Sequence, residues 1–161
     1  MNAEFTTVFG VSDWNKTLLA SLVFVVVGVL LAAVVVRGKL GKEPLARRQR
    51  RLLAVAAVVW TGVSVVWLAA NVTRTRDYLR LLDTGQTQRV EGVVQVLHRQ
   101  PAAGHSRGDV IRVGGREFVF SDFQGTIGYH RTLSHGGELR GGTYARLWCS
   151  GDEILKVEVR R

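Results

Sequence analysis

TLLASLVFVVVGVLLAAVVV, from Thr17 to Val36, and LLAVAAVVWTGVSVVWLAA, from Leu52 to Ala70, decide how this chain is read: twenty and nineteen residues without one charged side chain. At about 1.5 Å per residue, a helix of either length covers the roughly 30 Å hydrocarbon core of a bilayer. Both stretches are read as transmembrane helices. The competing reading, two buried helices of a soluble protein, leaves only about 78 residues to cover them. A cleaved signal peptide also competes for the first span. Its apolar run is too long, however, and Val36 leads into Arg37, Gly38 and Lys39 without an A-x-A cleavage pattern, so an uncleaved anchor is expected.

Charge orients the pair. The net +9 divides as −1 over residues 1–36, +6 over 37–51, +1 over 52–83 and +3 over 84–161. Between the spans lie Arg37, Lys39, Lys42, Arg47, Arg48, Arg50 and Arg51 against Glu43 alone, whereas residues 1–16 hold Lys16 beside Glu4 and Asp13. Basic residues in short loops stay cytoplasmic. The expected organisation is a short outward tail over 1–16, a first span over 17–36, a basic cytoplasmic loop over 37–51 and a second span within 52–83. A soluble domain follows over 84–161. The localisation is then a cell inner (plasma) membrane, crossed twice, with both termini extracytoplasmic. The seven basic residues are a topology signal and candidate contacts for anionic lipid headgroups, which attract clustered Lys and Arg by about 1 kcal/mol each.

Within the spans, Ser21, Val25, Gly28 and Ala32 share one face of the first helix, and Ala54, Ala57, Thr61 and Ser64 share one face of the second. Small residues let backbones approach where lipid supplies no hydrophobic drive, so these stripes are expected to meet. Trp60 is read as packing and Trp67 as a residue of the outer interface. Neither span carries an ionisable group, which argues against an ion path or transporter. Beyond Ala70, an apolar set of Tyr78, Leu79, Leu81 and Leu82 suggests that the second helix continues until Gly85 stops it. The sequon Asn71-Val72-Thr73 is read as inaccessible at the bilayer edge.

From Gly85 onward the pattern changes to short β-like runs. Residues 109–113 and 116–120 flank Gly114-Gly115, and residues 143–150 and 153–159 flank Gly151-Asp152, two hairpin signatures. With a run over residues 88–99, five strands are expected. The fold class is therefore an α+β membrane protein, a two-helix transmembrane hairpin followed by a small OB-like or SH3-like β-barrel. Val90, Val94, Val96, Ile111, Val113, Phe118, Phe120, Leu147, Leu155 and Val157 are the candidate core. The stretch 121–142, with six glycines in 22 residues, is the first place to look for a site.

The motifs Val90-Glu91-Gly92, Pro101 with Gly104-His105-Ser106, Val113-Gly114 leading to Phe118-Val119-Phe120-Ser121-Asp122, Ser134-His135-Gly136-Gly137 and Ile154-Leu155-Lys156-Val157-Glu158 occur in this order. In that order they resemble a group of uncharacterised small bacterial membrane proteins with a C-terminal β domain. The resemblance covers residues 90–159 and implies no activity, cofactor or catalytic residue.

Chemistry is sought among the loops. Gly104-His105-Ser106-Arg107-Gly108 fits the G-x-S-x-G string of a nucleophile elbow but lacks the strand-to-helix context of a large parallel sheet, so no Ser hydrolase and no catalytic residue are assigned. All four histidines lie in this domain, at spacings of 7, 25 and 5 that match no standard zinc pattern. His105, His130, His135 and Asp122 remain weak metal candidates, and no cofactor is assigned. The favoured account makes His105, Ser121, Asp122, Ser134 and His135 a hydrogen-bonding loop network, and Asp122 beside a histidine suggests a pH-responsive latch. The lone Cys149 excludes an intramolecular disulfide and is read as a small buried residue. The domain's 11 basic and 8 acidic residues, without an aromatic stacking series, argue against nucleic acid. The expected function is a non-enzymatic, membrane-anchored module that binds a membrane or envelope protein or envelope ligand. A metal- or pH-responsive sensor is the alternative.

Overall fold

The computed structural model describes residues 4–11, 16–40, 46–104 and 106–160. The chain is α+β and divides into two units, one over residues 16–74 and one joining the segment before residue 16 to residues 75–161.

The first unit holds helix α1 (Lys16–Leu40) and most of helix α2 (Arg47–Asp83). Both are long and apolar enough to cross a membrane, with windows of mean hydropathy 3.1 and 2.2, and only 11% of each window is buried. What is buried lies on a seam of small and polar residues. Ser21 and Gly28 on α1, and Ala57, Ser64 and Asn71 on α2, recur at intervals of seven, the spacing that keeps one stripe facing a partner helix. A Cβ on Gly28 would sit 2.5 Å from Thr61 Oγ1 and 3.3 Å from Thr61 Cα, so glycine permits this approach. The two small-residue stripes meet, except that Ala32 is exposed while Val25, Ala54 and Thr61 are half-buried.

Polar groups on the seam are satisfied locally. Trp60 Nε1 donates to the Phe24 carbonyl (3.0 Å), Ser64 Oγ to the Trp60 carbonyl (2.7 Å) and Asn71 Nδ2 to Ser21 Oγ (3.1 Å). Asn71, whose sequon is read as inaccessible at the bilayer edge, is 6% exposed. Trp67, like Trp60, packs on the Phe24 ring.

Helix α2 ends as its sequence predicts. Gly85 takes a φ of +68°, its amide bonds to the Leu82 carbonyl, and the Gln86 amide reaches the Leu81 carbonyl. This is a Schellman stop. Tyr78, Leu79 and Leu82 on the last turns pack with Val11, Ile127 and Leu155 in a small apolar cluster.

Among the described residues, the second unit holds seven strands: β1 (Phe5–Gly10), β2 (Gln88–Val93), β3 (Gln95–His98), β4 (Asp109–Val113), β5 (Arg116–Phe120), β6 (Tyr144–Ser150) and β7 (Glu153–Arg160). They make a four-stranded antiparallel sheet in the order β1-β7-β6-β2 and a three-stranded sheet in the order β3-β4-β5. The expected small barrel therefore resolves into two sheets around a shared core, and among the described residues no ladder closes one sheet onto the other. Physically, the run over 88–99 does not stay in one sheet. It breaks at buried Val94, whose amide donates to the Thr143 carbonyl and whose carbonyl accepts from the Gly142 amide, and it leaves Val94 to join β4. Close approach at this corner requires glycine, because a Cβ on Gly114 would lie 2.8 Å from the Glu91 carbonyl oxygen.

Residues 5–10, placed in the outward tail by their position before the first span, are an edge strand. β1 pairs antiparallel with β7 from Phe5–Arg160 to Gly10–Lys156, with an irregularity between Thr7 and Phe9. Both expected hairpins form, with Val113 opposite Arg116 and Ser150 opposite Glu153. Gly114 and Gly115 take φ of +55° and +83°, as a two-residue turn with positive φ at both positions demands. A register shift after Trp148 puts Ile154, rather than Leu155, into the main core beside Val157 and Val159. All ten candidate core residues are buried or half-buried, and Tyr129 and Leu139 join them from the loop 121–142.

Candidate functional site

The residues that order the loop end of the β unit converge on two aspartates and one glutamine. Asp109 opens β4 with no exposure. Its Oδ1 accepts the Gln100 amide and its Oδ2 the Leu133 amide, both at 2.6 Å. One carboxylate thus ties the 99–108 segment to the 121–142 loop. A buried charge is tolerated only when its oxygens are satisfied in this way.

Gln100, 2% exposed, serves as a hub. Its Oε1 accepts from Ser121 Oγ at 2.8 Å, its Nε2 donates to the Ser106 carbonyl at 3.1 Å, and its own carbonyl accepts from Ser134 Oγ. Asp122 closes the loop on itself. Its Oδ2 accepts the Thr132 amide at 3.1 Å and the Thr132 hydroxyl, and lies 2.9 Å from His135 Nδ1. Partial burial opposes its charge, but the Thr132 hydroxyl and amide and the neighbouring His135 outweigh that and hold the carboxyl below its ordinary value of 3.8. His135 sits in the 3₁₀ turn Leu133–His135, which Gly136 ends in the left-handed region at φ 81°. Phe123, largely exposed, meets the His135 ring edge-on.

Of the residues expected in a loop network, Ser121, Asp122, Ser134 and His135 are brought together through Gln100 and Thr132. His105 lies outside the described residues. Asp109, Gln100 and Thr132 were not assigned to that network from sequence. The nearest signal was an aspartate opening a strand just before the apolar pair Val110 and Ile111.

The described metal candidates, His130, His135 and Asp122, do not converge. His130 Nδ1 is 2.9 Å from the Gly128 carbonyl, apart from the Asp122 and His135 pair, and the described residues hold no group of three or more metal-ligating side chains. Nor does the trio of Asp122, Thr132 and His135 have the layout of a nucleophilic triad. Such a relay needs the hydroxyl and the carboxylate on opposite ring nitrogens, whereas Thr132 Oγ1 and Asp122 Oδ2 both face His135 Nδ1. Ser106 Oγ bonds to the adjacent Arg107 carbonyl at 3.2 Å. Cys149 is fully buried, and burial pushes its thiol up to about 11, far from the thiolate character of a reactive cysteine. The arrangement orders loops and presents their outer side chains.

The basic residues of the inter-helix region are split between the helices. Arg37 lies in the last turns of α1 and Lys39 within the same helix, Arg47, Arg48, Arg50 and Arg51 open α2, and Lys42 lies outside the described residues. The first turn of α2 contains no acidic residue, so its arginines face the positive end of the helix dipole uncompensated from within the helix. No family model matches the chain, and comparisons with curated proteins and with solved structures give no match.

Proposed function

We propose that the chain is a two-span membrane anchor that holds its β unit outside the cytoplasm as a non-enzymatic module for binding a membrane or envelope protein or an envelope ligand. The observation that carries this reading is the pairing of β1 with β7. The strand before α1 and the strand that ends the chain belong to one sheet, so both must lie on the same side of any membrane, and two crossings are the smallest number that permits it. Helices that leave most of an apolar window of mean hydropathy 3.1 or 2.2 unburied need an apolar solvent, as the core helices of a soluble protein do not. The same pairing speaks for retention of α1, since cleavage behind it would remove β1 and strip an edge from β7.

Orientation follows from the basic run, which favours a cytoplasmic inter-helix region. Arginines at the start of α2 with no acidic residue in its first turn suit anionic headgroups as their counter-charge. The β unit supports a binding role through a sheet scaffold whose glycine-rich loop is fastened by the buried Asp109 and the half-buried Asp122. Photo-crosslinking from Phe123 in intact cells tests this reading. A discrete crosslinked species that persists after membrane solubilisation is expected; uncrosslinked chain alone would count against it. A pH-responsive role is favoured second by the contact between Asp122 and His135, and loop protection that follows histidine titration would move the reading there.

A further inference from the structure

Charge compensation is uneven across the β unit. On the sheet surfaces, Arg89 and Arg146 share Glu91, Arg112 meets Glu117, Arg116 meets Asp152 and Lys156 meets Glu158. At the loop end, Asp109 and Asp122 are turned inward onto backbone amides, Thr132 and His135, and the exposed Glu138 makes no ion pair among the described residues. The exposed Arg99, Arg107, Arg131 and Arg140 have no carboxylate within ion-pair distance among the described residues. Two of these four, Arg99 and Arg140, line one cleft of about 390 Å³ together with Leu133 and Gly141. That volume falls at the small end of ligand sites, roughly 300–1,000 Å³.

The cleft floor is fixed, because the Leu133 amide is held by buried Asp109. Arg99 is steadied from one side, its Nε lying 3.4 Å from Ser134 Oγ, and Ser134 is itself anchored to the Gln100 carbonyl. Neither Nη of Arg99 is engaged by that contact. Guanidinium groups present a planar fork of donors that matches oxyanions, and two of them without carboxylate partners beside one small cleft are complementary to a single anionic group.

We propose that the cleft between Arg99 and Arg140 is a binding site for a phosphate group, carried by a lipid headgroup or by a soluble phosphate ester. The site extends the binding-module reading by naming a ligand chemistry, and it rests on that reading only in taking the loop end as the binding surface. The two fail separately, since a chain that captures no protein partner can still bind phosphate.

The test uses the full chain in neutral-detergent micelles, titrated with inorganic phosphate against chloride at constant ionic strength. Amide NMR shifts of Leu133 and Gly141 are followed. A saturable shift is expected, weakened about tenfold by Arg99→Gln and by Arg140→Gln and unchanged by Arg107→Gln, which removes the same charge outside the cleft. Nanodiscs distinguish the sources. If headgroups supply the phosphate, discs containing phosphatidylglycerol reproduce the shifts without added phosphate, and Arg140→Gln abolishes them. If the group is soluble, those discs give the same positions as phosphatidylcholine discs while inorganic phosphate still titrates. No saturable shift in either arm, or an equal loss with Arg107→Gln, would overturn the proposal.

Discussion

Replacing Asp109 tests whether one buried carboxylate holds the loop end together. Asp109→Ala removes the acceptor of two amides, that of buried Gln100 and that of half-buried Leu133. Leaving a buried donor unsatisfied costs about 1–3 kcal/mol, so the two together give at most about 2–6 kcal/mol. Part of this is offset because a desolvated charge disappears with the carboxylate, which brings the net loss to about 3 kcal/mol. Asp109→Asn keeps the shape and one acceptor oxygen but turns an NH₂ toward an amide donor, and about 2 kcal/mol is expected.

Hydrogen exchange of the full chain in detergent reads the effect locally. Peptides containing Gln100 and Leu133 should exchange on the order of 100-fold faster in Asp109→Ala, since each 1.4 kcal/mol is tenfold in an opening equilibrium. Helix α1 should exchange as in the native chain. Asp152→Ala is the matched control, because that side chain is 97% exposed and a change within about 0.5 kcal/mol is expected. Unchanged exchange at both peptides in Asp109→Ala would refute the reasoning, as would an equal effect of Asp152→Ala.

Three further outcomes follow from the same geometry. Because the Asp122 carboxyl is held below its ordinary 3.8, its contribution to loop stability is fully present above that value and is lost as pH falls through the lower, folded-state value. Protection of the Thr132 amide, its exchange relative to an unstructured amide at the same pH, should therefore fall below about pH 4 in the native chain, and Asp122→Asn should flatten that dependence. Gly28→Leu, whose side chain would meet the Thr61 backbone and hydroxyl, should loosen the helix pair by about 1–3 kcal/mol. The readout is slower disulfide formation between cysteines introduced at Ser21 and Asn71, which touch in the native seam. Cys149, buried with its thiol pushed up to about 11, should resist maleimide at pH 8 in the folded chain and react fully once denatured; rapid labelling of native protein would contradict its burial.

Much of the fold was legible because it is written in strong local signals. Two uncharged stretches announce α1 and α2, Gly85 announces the helix stop, and Gly114-Gly115 and Gly151-Asp152 announce the hairpins with their observed registers. What was not legible lies where alternation breaks. β1 was missed because the irregularity between Thr7 and Phe9 puts Val8 and Phe9 side by side as half-buried residues, which no period of two displays. The same kind of irregularity in the β6–β7 pairing moves Leu155 into the small cluster with Val11 and Ile127. The run over 88–99 looked like one strand because a bend at Val94 leaves no composition signal. In the candidate site, the loop histidines and serines attract attention by type, whereas Asp109 and Gln100 acquire their roles only when distant segments meet, Gln100 with Ser121 and Asp109 with Leu133.

In the proposed topology, two crossings leave the β unit outside the cytoplasm. A dual reporter fused after Arg161, with one half active only outside the cytoplasm and the other only inside, tests this most directly. Activity of the outside half alone is expected. Activity of the inside half would contradict the orientation read from the basic inter-helix region and would return the β unit to cytoplasmic partners.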